Sequence, residues 1–547
     1  MDRIRKVDMP SQHTPPSLGR RFCLAPLLVI VAFGGFARFH RLGVEGLGVD
    51  ETFSWRITRY PIPVMVQKTA EDVHPPLYYL ILKGWTAVWG TSPFALRSLS
   101  SVLGTLAIPV LFAICAGIGL GDRTKPRNEI LIHSGALLSA FLLAASPTQV
   151  EYSRYARMYS LGVLLAGAAT WLLLKAMVHR RPLPYWIAYG VTLTSFMYTH
   201  YFALYCGAAH VAFFAGCLLL QARRDRLEHG RRSAALAAGF VAANALVLLL
   251  VLPWIPVFLS QFSKVQSNFW LPPLTRANYE RIFLTWSTGL ISFGSIESWA
   301  AFCAFMALFA WLARGADRLT AFLLLQALTP WVVGIAYSIL AERPLVIERF
   351  LAFSQLALLG LWAVVWRRLP DRLMRSALAG SLGLTCLLGL WSTIGQIGEK
   401  RPAIQQASEL LRDRVRPGDL VLVLEPISVN LVRYYAECAG ARPMRVCCRV
   451  GSRSKSLHMN HFASLDPNDV IWERDGVYSL DAGRVWHVVD LQDPSSVNQP
   501  PRGMEPLVSW IFEGGSSATL TNSPEHLVSR YRVTEYVERH GNPITCR

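Results

Sequence analysis

Two short stretches set carboxylates beside apolar and aromatic residues: Gly48-Val49-Asp50-Glu51, and Glu71-Asp72-Val73-His74-Pro75-Pro76-Leu77-Tyr78-Tyr79. A carboxylate so placed can take the proton of an attacking hydroxyl as a new bond forms. Partial burial raises its pKa towards that task. Asp50 suits a solvated loop acid or a helix N-cap equally well, and Asp72 with the proline pair suits a turn. His74 precedes proline, which pushes it out of the helical region and holds its ring in a defined place; a structural histidine would read the same way. A second cluster, Glu151-Tyr152-Ser153-Arg154-Tyr155-Ala156-Arg157-Met158-Tyr159, carries two arginines three apart. That spacing predicts one shared helix face, with Tyr155 and Tyr159 on a neighbouring face. Two guanidiniums can hold a phosphate through paired donors; the alternative is plain anchoring of a span end. Glu342-Arg343-Pro344 and Glu348-Arg349-Phe350 add another cation, Arg349, whose alternative is a salt bridge to Glu348 or Glu342. His200-Tyr201 occupies a tight turn, as cavity lining or as ordinary turn chemistry.

The elements that must position these residues follow from composition. Of 547 residues, 52% are apolar and 16% charged. Soluble domains carry about 25% charge, so most of this chain is not a water-facing globule. A spanning helix needs about 20 mostly apolar residues. Eleven stretches qualify, at about 22–39, 93–118, 130–146, 157–178, 184–200, 202–221, 234–258, 297–313, 319–341, 349–366 and 376–396. Every second connection is basic: Arg3, Arg5, Lys6, Arg20 and Arg21; Arg123, Lys125 and Arg127; Arg180 and Arg181; Arg223, Arg224, Arg226, Arg231 and Arg232; Arg314 and Arg318; Arg367, Arg368, Arg372 and Arg375. By the positive-inside rule these face the cytoplasm. The formal charge of +18 is therefore mostly a topology signal. No basic stripe with aromatics lies on one soluble unit, which argues against a nucleic-acid partner.

The amino terminus is thus expected in the cytoplasm, on a tail of residues 1–21, with the chain in the plasma (inner) membrane. The membrane region covers 22–399, and its long first outer loop is 40–92. Loops 40–92, 147–156, 259–296 and 342–348 fall on the outer side with the candidate residues. Pro-Pro-Leu-Tyr-Tyr predicts an interfacial helix anchored by its tyrosines and Trp85. Residues 400–547 read as an extracytoplasmic α/β domain, with helices at 401–414 and 428–439, a turn at Arg416-Pro417-Gly418-Asp419, and strands at 420–424, 443–450 and 484–491. No phosphate-cradling glycine pattern occurs in it. Cys438, Cys447, Cys448 and Cys546 would be free to pair in an oxidising compartment, with no pairing legible from spacing. No CxxC or HExxH occurs. Acids from one loop and arginines from others, on one face of a membrane, suit a substrate with an apolar tail and an anionic head.

The segments GVDETFSW, EDVHPPLYYLILKGW, FALRSLSSVLGTL, SPTQVEYSRYARMYSL and TSFMYTHYFALY resemble the GT-C glycosyltransferases, specifically bacterial relatives of the protein O-mannosyltransferases of glycosyltransferase family 39. The resemblance covers about residues 20–400. It implies a polyprenyl-phosphate sugar as donor and co-substrate, with no further cofactor and no metal. It implies inverting single displacement onto an extracytoplasmic glycan, lipid or protein acceptor. By carry-over Asp50 is the base and Glu51 its support. Arg157 is the favoured phosphate ligand, with Arg154 and Arg349 behind it. Asp72, His74, Tyr78, Tyr155, His200 and Tyr201 shape the cavity. Where relatives often read Ser-Gln-Glu before the ARMY segment, this chain has Ser153-Arg154-Tyr155. The rival expectation is a polytopic transporter or lipid flippase. Charges gathered at one end of the spans, without repeated halves, argue against it.

Overall fold

The computed structural model describes residues 18–117, 129–224, 230–267, 275–288, 295–342, 346–395 and 403–423, and, further on, 426–438, 445–450, 470–472, 478–479, 484–490, 504–515, 528–538 and 545–546. The membrane region is helical: α1 (Leu18–Phe39), α2 (Val49–Arg59), α3 (Ile62–Glu71), α4 (Leu77–Trp89), α5 (Pro93–Gly117), α6 (Glu129–Ala145), α7 (Pro147–Ser153), α8 (Tyr159–Val178) and α9 (Leu183–Met197). It continues through α10 (Ala203–Arg224), α11 (Gly230–Val251), α12 (Ile255–Ser267), α13 (Arg276–Thr288), α14 (Ser295–Ala313), α15 (Arg318–Leu340), α16 (Ala352–Arg368) and α17 (Arg372–Gly395). Each of the eleven apolar stretches contains a helix. Among the described residues seven helical spans are long and apolar enough to cross a membrane, or eight if the bent pair α6–α7 is one span. Of the expected basic connections, Arg3, Arg5, Lys6, Arg123, Lys125, Arg127 and Arg226 lie outside the described residues, as do Arg343 and Pro344.

Two sequence expectations change. Residues 40–92, read as a loop with one interfacial helix, hold three short helices, α2 to α4, tied to the amino-terminal end of α5. Residues 147–153 are helical too: Pro147 starts α7, the Ser146 hydroxyl accepts from the Gln149 amide at 3.4 Å, and the axis turns by 56° from α6. Proline is well suited to a first helical position, where its missing N–H is not needed. Helix α5 is the hub, packing on α1, α4, α6, α7 and α8. Its outer half is rich in serine and glycine, as close helix packing in a membrane favours. A Cβ at Gly104 would collide with Ser153 and Arg38.

The chain ends in α18 (Ala403–Arg414), β1 (Leu420–Val423), α19 (Pro426–Cys438), β2 (Arg445–Val450), β3 (Val470–Trp472), β4 (Tyr478–Ser479), β5 (Arg484–Asp490), β6 (Met504–Gly515), β7 (Val528–Glu538) and β8 (Thr545–Cys546). Six strands form a mixed sheet in the order β3-β2-β1-β5-β7-β6, parallel from β3 to β5 and antiparallel beyond. The expected turn is present, with Gly418 at a φ of 94° that glycine adopts without strain. Cys447 and Cys448 are buried in β2, and the side chains of Cys438 and Cys546 lie outside the described set. Helix α19 grips α2. Tyr434 donates to the Thr91 carbonyl at 3.2 Å and lies edge-on to Trp55, Tyr435 donates to the Leu47 carbonyl at 3.1 Å, and Glu437 pairs with Arg59 at 3.4 Å.

Candidate active site

Helix α2 begins where it does because Gly48 supplies an extended N-cap and Glu51 reaches back to accept the Gly48 amide at 3.0 Å. That places Asp50 in the first turn, where the helix dipole favours a negative charge. The Asp50 side chain is 30% exposed and faces Arg349, with Nη1 to Oδ2 at 3.6 Å. The ion pair found for Arg349 is thus with Asp50, across the fold, and not only the local one its neighbours offered. Glu348 lies 3.3 Å from Arg281.

Glu51 points the other way. It is 1% exposed, receives two bonds from Arg97 (2.8 and 2.6 Å) and one from the Ala156 amide at 3.1 Å. Its acceptor sites are filled by the fold, so its contribution to chemistry is to hold α2 against the 154–158 turn.

The two arginines of the second cluster separate. Helix α7 ends at Ser153 and α8 starts at Tyr159, so residues 154–158 turn instead of continuing a helix. The shared helix face expected from their spacing is therefore absent. Arg154 folds back on the end of α1, donating to the carbonyls of Arg38 at 3.0 Å and His40 at 2.7 Å. Cations at a helix carboxy terminus are favourable, and this position takes Arg154 away from Arg157 and His74. Arg157 turns inward and is 4% exposed. Its Nη1 donates to the Tyr79 hydroxyl at 3.0 Å, its Nη2 to His74 Nε2 at 3.4 Å, and it lies over the Phe53 ring. Its Nε is buried with no hydrogen-bond partner among the described residues.

Asp72 stands behind this arrangement. It is 2% exposed and accepts from His74 Nδ1 at 2.9 Å. With Nδ1 as the donor, Nε2 is left as the lone pair that meets Arg157. Burial and the nearby Arg157 hold the His74 pKa below its ordinary value, against the opposing pull of Asp72 and Asp50. The ring is neutral at pH 7, as an acceptor for arginine must be. Asp72 is buried behind the histidine, whereas Asp50 is partly exposed.

His200 joins this cluster, its ring 6.2 Å from His74 and 5.6 Å from Phe350. Its pKa is held well below the usual range by burial, with His74, Arg157 and Arg349 adding to the effect. Tyr201 faces elsewhere: it donates to Gln261, accepts from Trp254, and Gln261 in turn holds the Thr69 carbonyl of α3 at 2.8 Å. That makes Tyr201 a strut under the Asp72 segment. Tyr78 is fully buried and donates to Ser100 at 2.9 Å, which donates to the Arg157 carbonyl at 3.0 Å. The expected interfacial tyrosines of α4 are therefore core residues. Trp85 is tied to α5 through the Ala95 carbonyl and the Ser98 hydroxyl. Tyr155 lies within electrostatic reach of Glu51 and Asp50, and burial raises its pKa.

Sequence reading did not single out Tyr79, Arg97 or Arg38. The tyrosine pair in HPPLYY was the available signal for Tyr79, since adjacent helical residues point in different directions. Arg97 and Arg38 meet partners 46 and 115 residues away, with no local signal. Among the described residues no three His, Cys, Asp or Glu side chains are grouped to hold a metal ion.

Residues 73–256 match the family model described as dolichyl-phosphate-mannose-protein mannosyltransferase. ArnT from Cupriavidus metallidurans in the apo state is similar in structure, 12% identical, over 93% of this chain and 97% of that one, with a TM-score of 0.59. ArnT from the same organism bound to undecaprenyl phosphate gives 12% identity, the same coverage and a TM-score of 0.58. No curated protein matches the chain in sequence. The fold is thus the GT-C fold that the motifs led us to expect, in a multi-span membrane protein.

Proposed function

We propose that this chain, with the fold of ArnT and the mannosyltransferase signature across residues 73–256, is an integral-membrane glycosyltransferase. It moves a sugar from a polyprenyl-phosphate donor to an extracytoplasmic glycan, lipid or protein acceptor. The observation that carries the reading is Arg157, a buried cation held by two neutral groups, with a donor left over and Asp50 within electrostatic reach. A buried charge without a carboxylate in contact is costly, and an anionic ligand relieves that cost. ArnT bound to undecaprenyl phosphate supports the choice of anion.

In this reading the donor phosphate sits against Arg157, with Arg349 close enough to assist. The acceptor hydroxyl attacks the anomeric carbon from the opposite face. Its proton passes to Asp50, the bond from carbon to phosphate oxygen breaks, and the electron pair leaves on the carrier phosphate. Configuration inverts. Arginine, not a metal, stabilises the leaving charge. The site lies on the exoplasmic side of the plasma membrane, with residues 1–21 in the cytoplasm, 22–399 as the catalytic membrane domain and 400–547 outside.

Membranes carrying the wild-type chain, given a radiolabelled polyprenyl-phosphate sugar, are expected to yield a covalent product. Asp50→Asn should lower transfer by at least about 10³-fold while the protein remains inserted and folded. Full activity in that variant removes Asp50 as base. Movement of intact carrier lipid without a covalent product would favour a transporter.

A further inference from the structure

The Tyr79 hydroxyl accepts a hydrogen bond from Arg157 Nη1 at 3.0 Å, so its own proton points elsewhere. Tyr79 is 0% exposed, and no acceptor for that proton is found among the described residues. The buried Nε proton of the same Arg157 also has none. An unmet buried donor costs about 1–3 kcal/mol. Two of them on neighbouring groups describe an anion site whose occupant completes both bonds. Tyr78, next in sequence, behaves differently: its proton goes to Ser100, and the pair supports the Arg157 backbone.

We propose that Tyr79 is a catalytic residue, donating a hydrogen bond to a phosphate oxygen of the leaving carrier beside Arg157. This rests on the donor assigned above and adds a neutral donor to a site otherwise read as charge alone. The tyrosine proton is shared and not transferred. The bond from the anomeric carbon to phosphate oxygen breaks, the new bond to the acceptor oxygen forms, and the acceptor proton goes to Asp50. As charge grows on the phosphate, the Tyr79 bond shortens and strengthens, so its effect is larger in the transition state than with bound donor. Arg157 polarises the hydroxyl by donating to its oxygen, which makes the outgoing proton a better donor.

The test is Tyr79→Phe in the full-length protein in detergent or nanodiscs. It has two arms. In the first, transfer is followed with a polyprenyl-phosphate sugar; kcat is expected to fall about 10- to 100-fold with a smaller change in KM for donor. In the second, undecaprenyl phosphate binding is measured directly, which needs no turnover; affinity is expected to fall about 5- to 10-fold. Unchanged kcat and unchanged binding overturn the role of Tyr79. A wild-type chain that binds undecaprenyl phosphate but transfers no sugar sinks the enzymatic reading, and the binding arm still decides Tyr79. A wild type that does not bind the lipid phosphate sinks both. Should Tyr79→Phe fail to fold, 3-fluorotyrosine at position 79 keeps the ring and strengthens the donor; tighter lipid-phosphate binding is then expected, and unaltered binding overturns the proposal.

Discussion

Two regions of this molecule are built from buried arginines, and they differ in how completely those arginines are satisfied. The joint beneath α2 holds the buried Arg38 and Arg97 and the partly exposed Arg154. Arg38 donates to the carbonyls of Gly34, Leu143 and Ala144 and to the Ser153 hydroxyl. Arg97 makes a two-point contact with Glu51 and also holds the carbonyls of Leu42, Glu45 and Gly46. Arg154 finishes α1. The second region centres on Arg157, whose partners are a tyrosine, a neutral histidine and a ring face, with one donor unmet. Residue type is the same in both regions, and Arg38, Arg97 and Arg157 are all buried, while Arg154 is partly exposed. What separates the building arginines from the one we propose to bind a ligand is whether every buried guanidinium nitrogen finds an acceptor in the protein.

The comparison breaks most visibly if the joint is damaged. Glu51→Gln leaves the Arg97 guanidinium buried with its carboxylate gone. Removing one partner of a buried pair typically costs about 3–5 kcal/mol. Loss of folded protein or a large fall in melting temperature is expected, measured on purified protein without substrate. A variant that keeps wild-type stability and loses only turnover would mean that Glu51 acts in chemistry and that the joint is not one.

The pair of arginines three apart provides the next test. Arg157→Lys should lower transfer by about 10²-fold, since a point charge cannot reproduce the guanidinium's fixed set of donors. Melting temperature should stay level, because the charge is kept and the guanidinium makes few bonds to the fold. Arg154→Lys should do the opposite, lowering stability by about 1 kcal/mol through the lost α1 carbonyl bonds and leaving the KM for donor unchanged. Equal loss of donor binding in both variants would erase the distinction.

How much of this was readable beforehand divides along the same line. Apolar length and alternating basic connections gave a helix in each of eleven stretches. Strand, turn and helix signals placed α18, β1, α19, β2 and β5 within a few residues of where they lie. Asp50, Asp72, His74, Arg157, His200 and Arg349, which the structure brings into one cluster, stood out because polar groups at the ends of apolar spans have few reasons to be there. Their partners were not. Arg154 and Arg157 look equivalent at a three-residue spacing, and only the break between α7 and α8 sends them to opposite sides. Glu51 and Asp50 are adjacent, and the turn of α2 alone decides which is buried. Tyr79 becomes visible only once Arg157 is seen to donate to it. Donor saturation is a property of tertiary packing, so local sequence carries no trace of it.

The finest test concerns how Arg157 is held. His74 faces Asp72, Arg157, Asp50 and His200, and burial together with the guanidinium keeps its pKa below the ordinary 6.5. Above that depressed value the ring is neutral and Nε2 accepts from Arg157. As pH falls through it, the ring gains a proton, the acceptor is lost, and a second positive charge presses on the guanidinium. Transfer should therefore be level near pH 7 and fall on the acid side. The native state binds fewer protons at this site than the unfolded chain does, so stability should also begin to decline as pH drops below about 6.5. His74→Gln sets an amide oxygen near the Nε2 position without a titrating proton. That variant should retain activity within about tenfold at pH 7 and lose the part of the acid decline that belongs to the histidine. An identical pH profile in wild type and His74→Gln would assign that decline to Asp50. The histidine would then join the satisfied, purely structural side of the comparison.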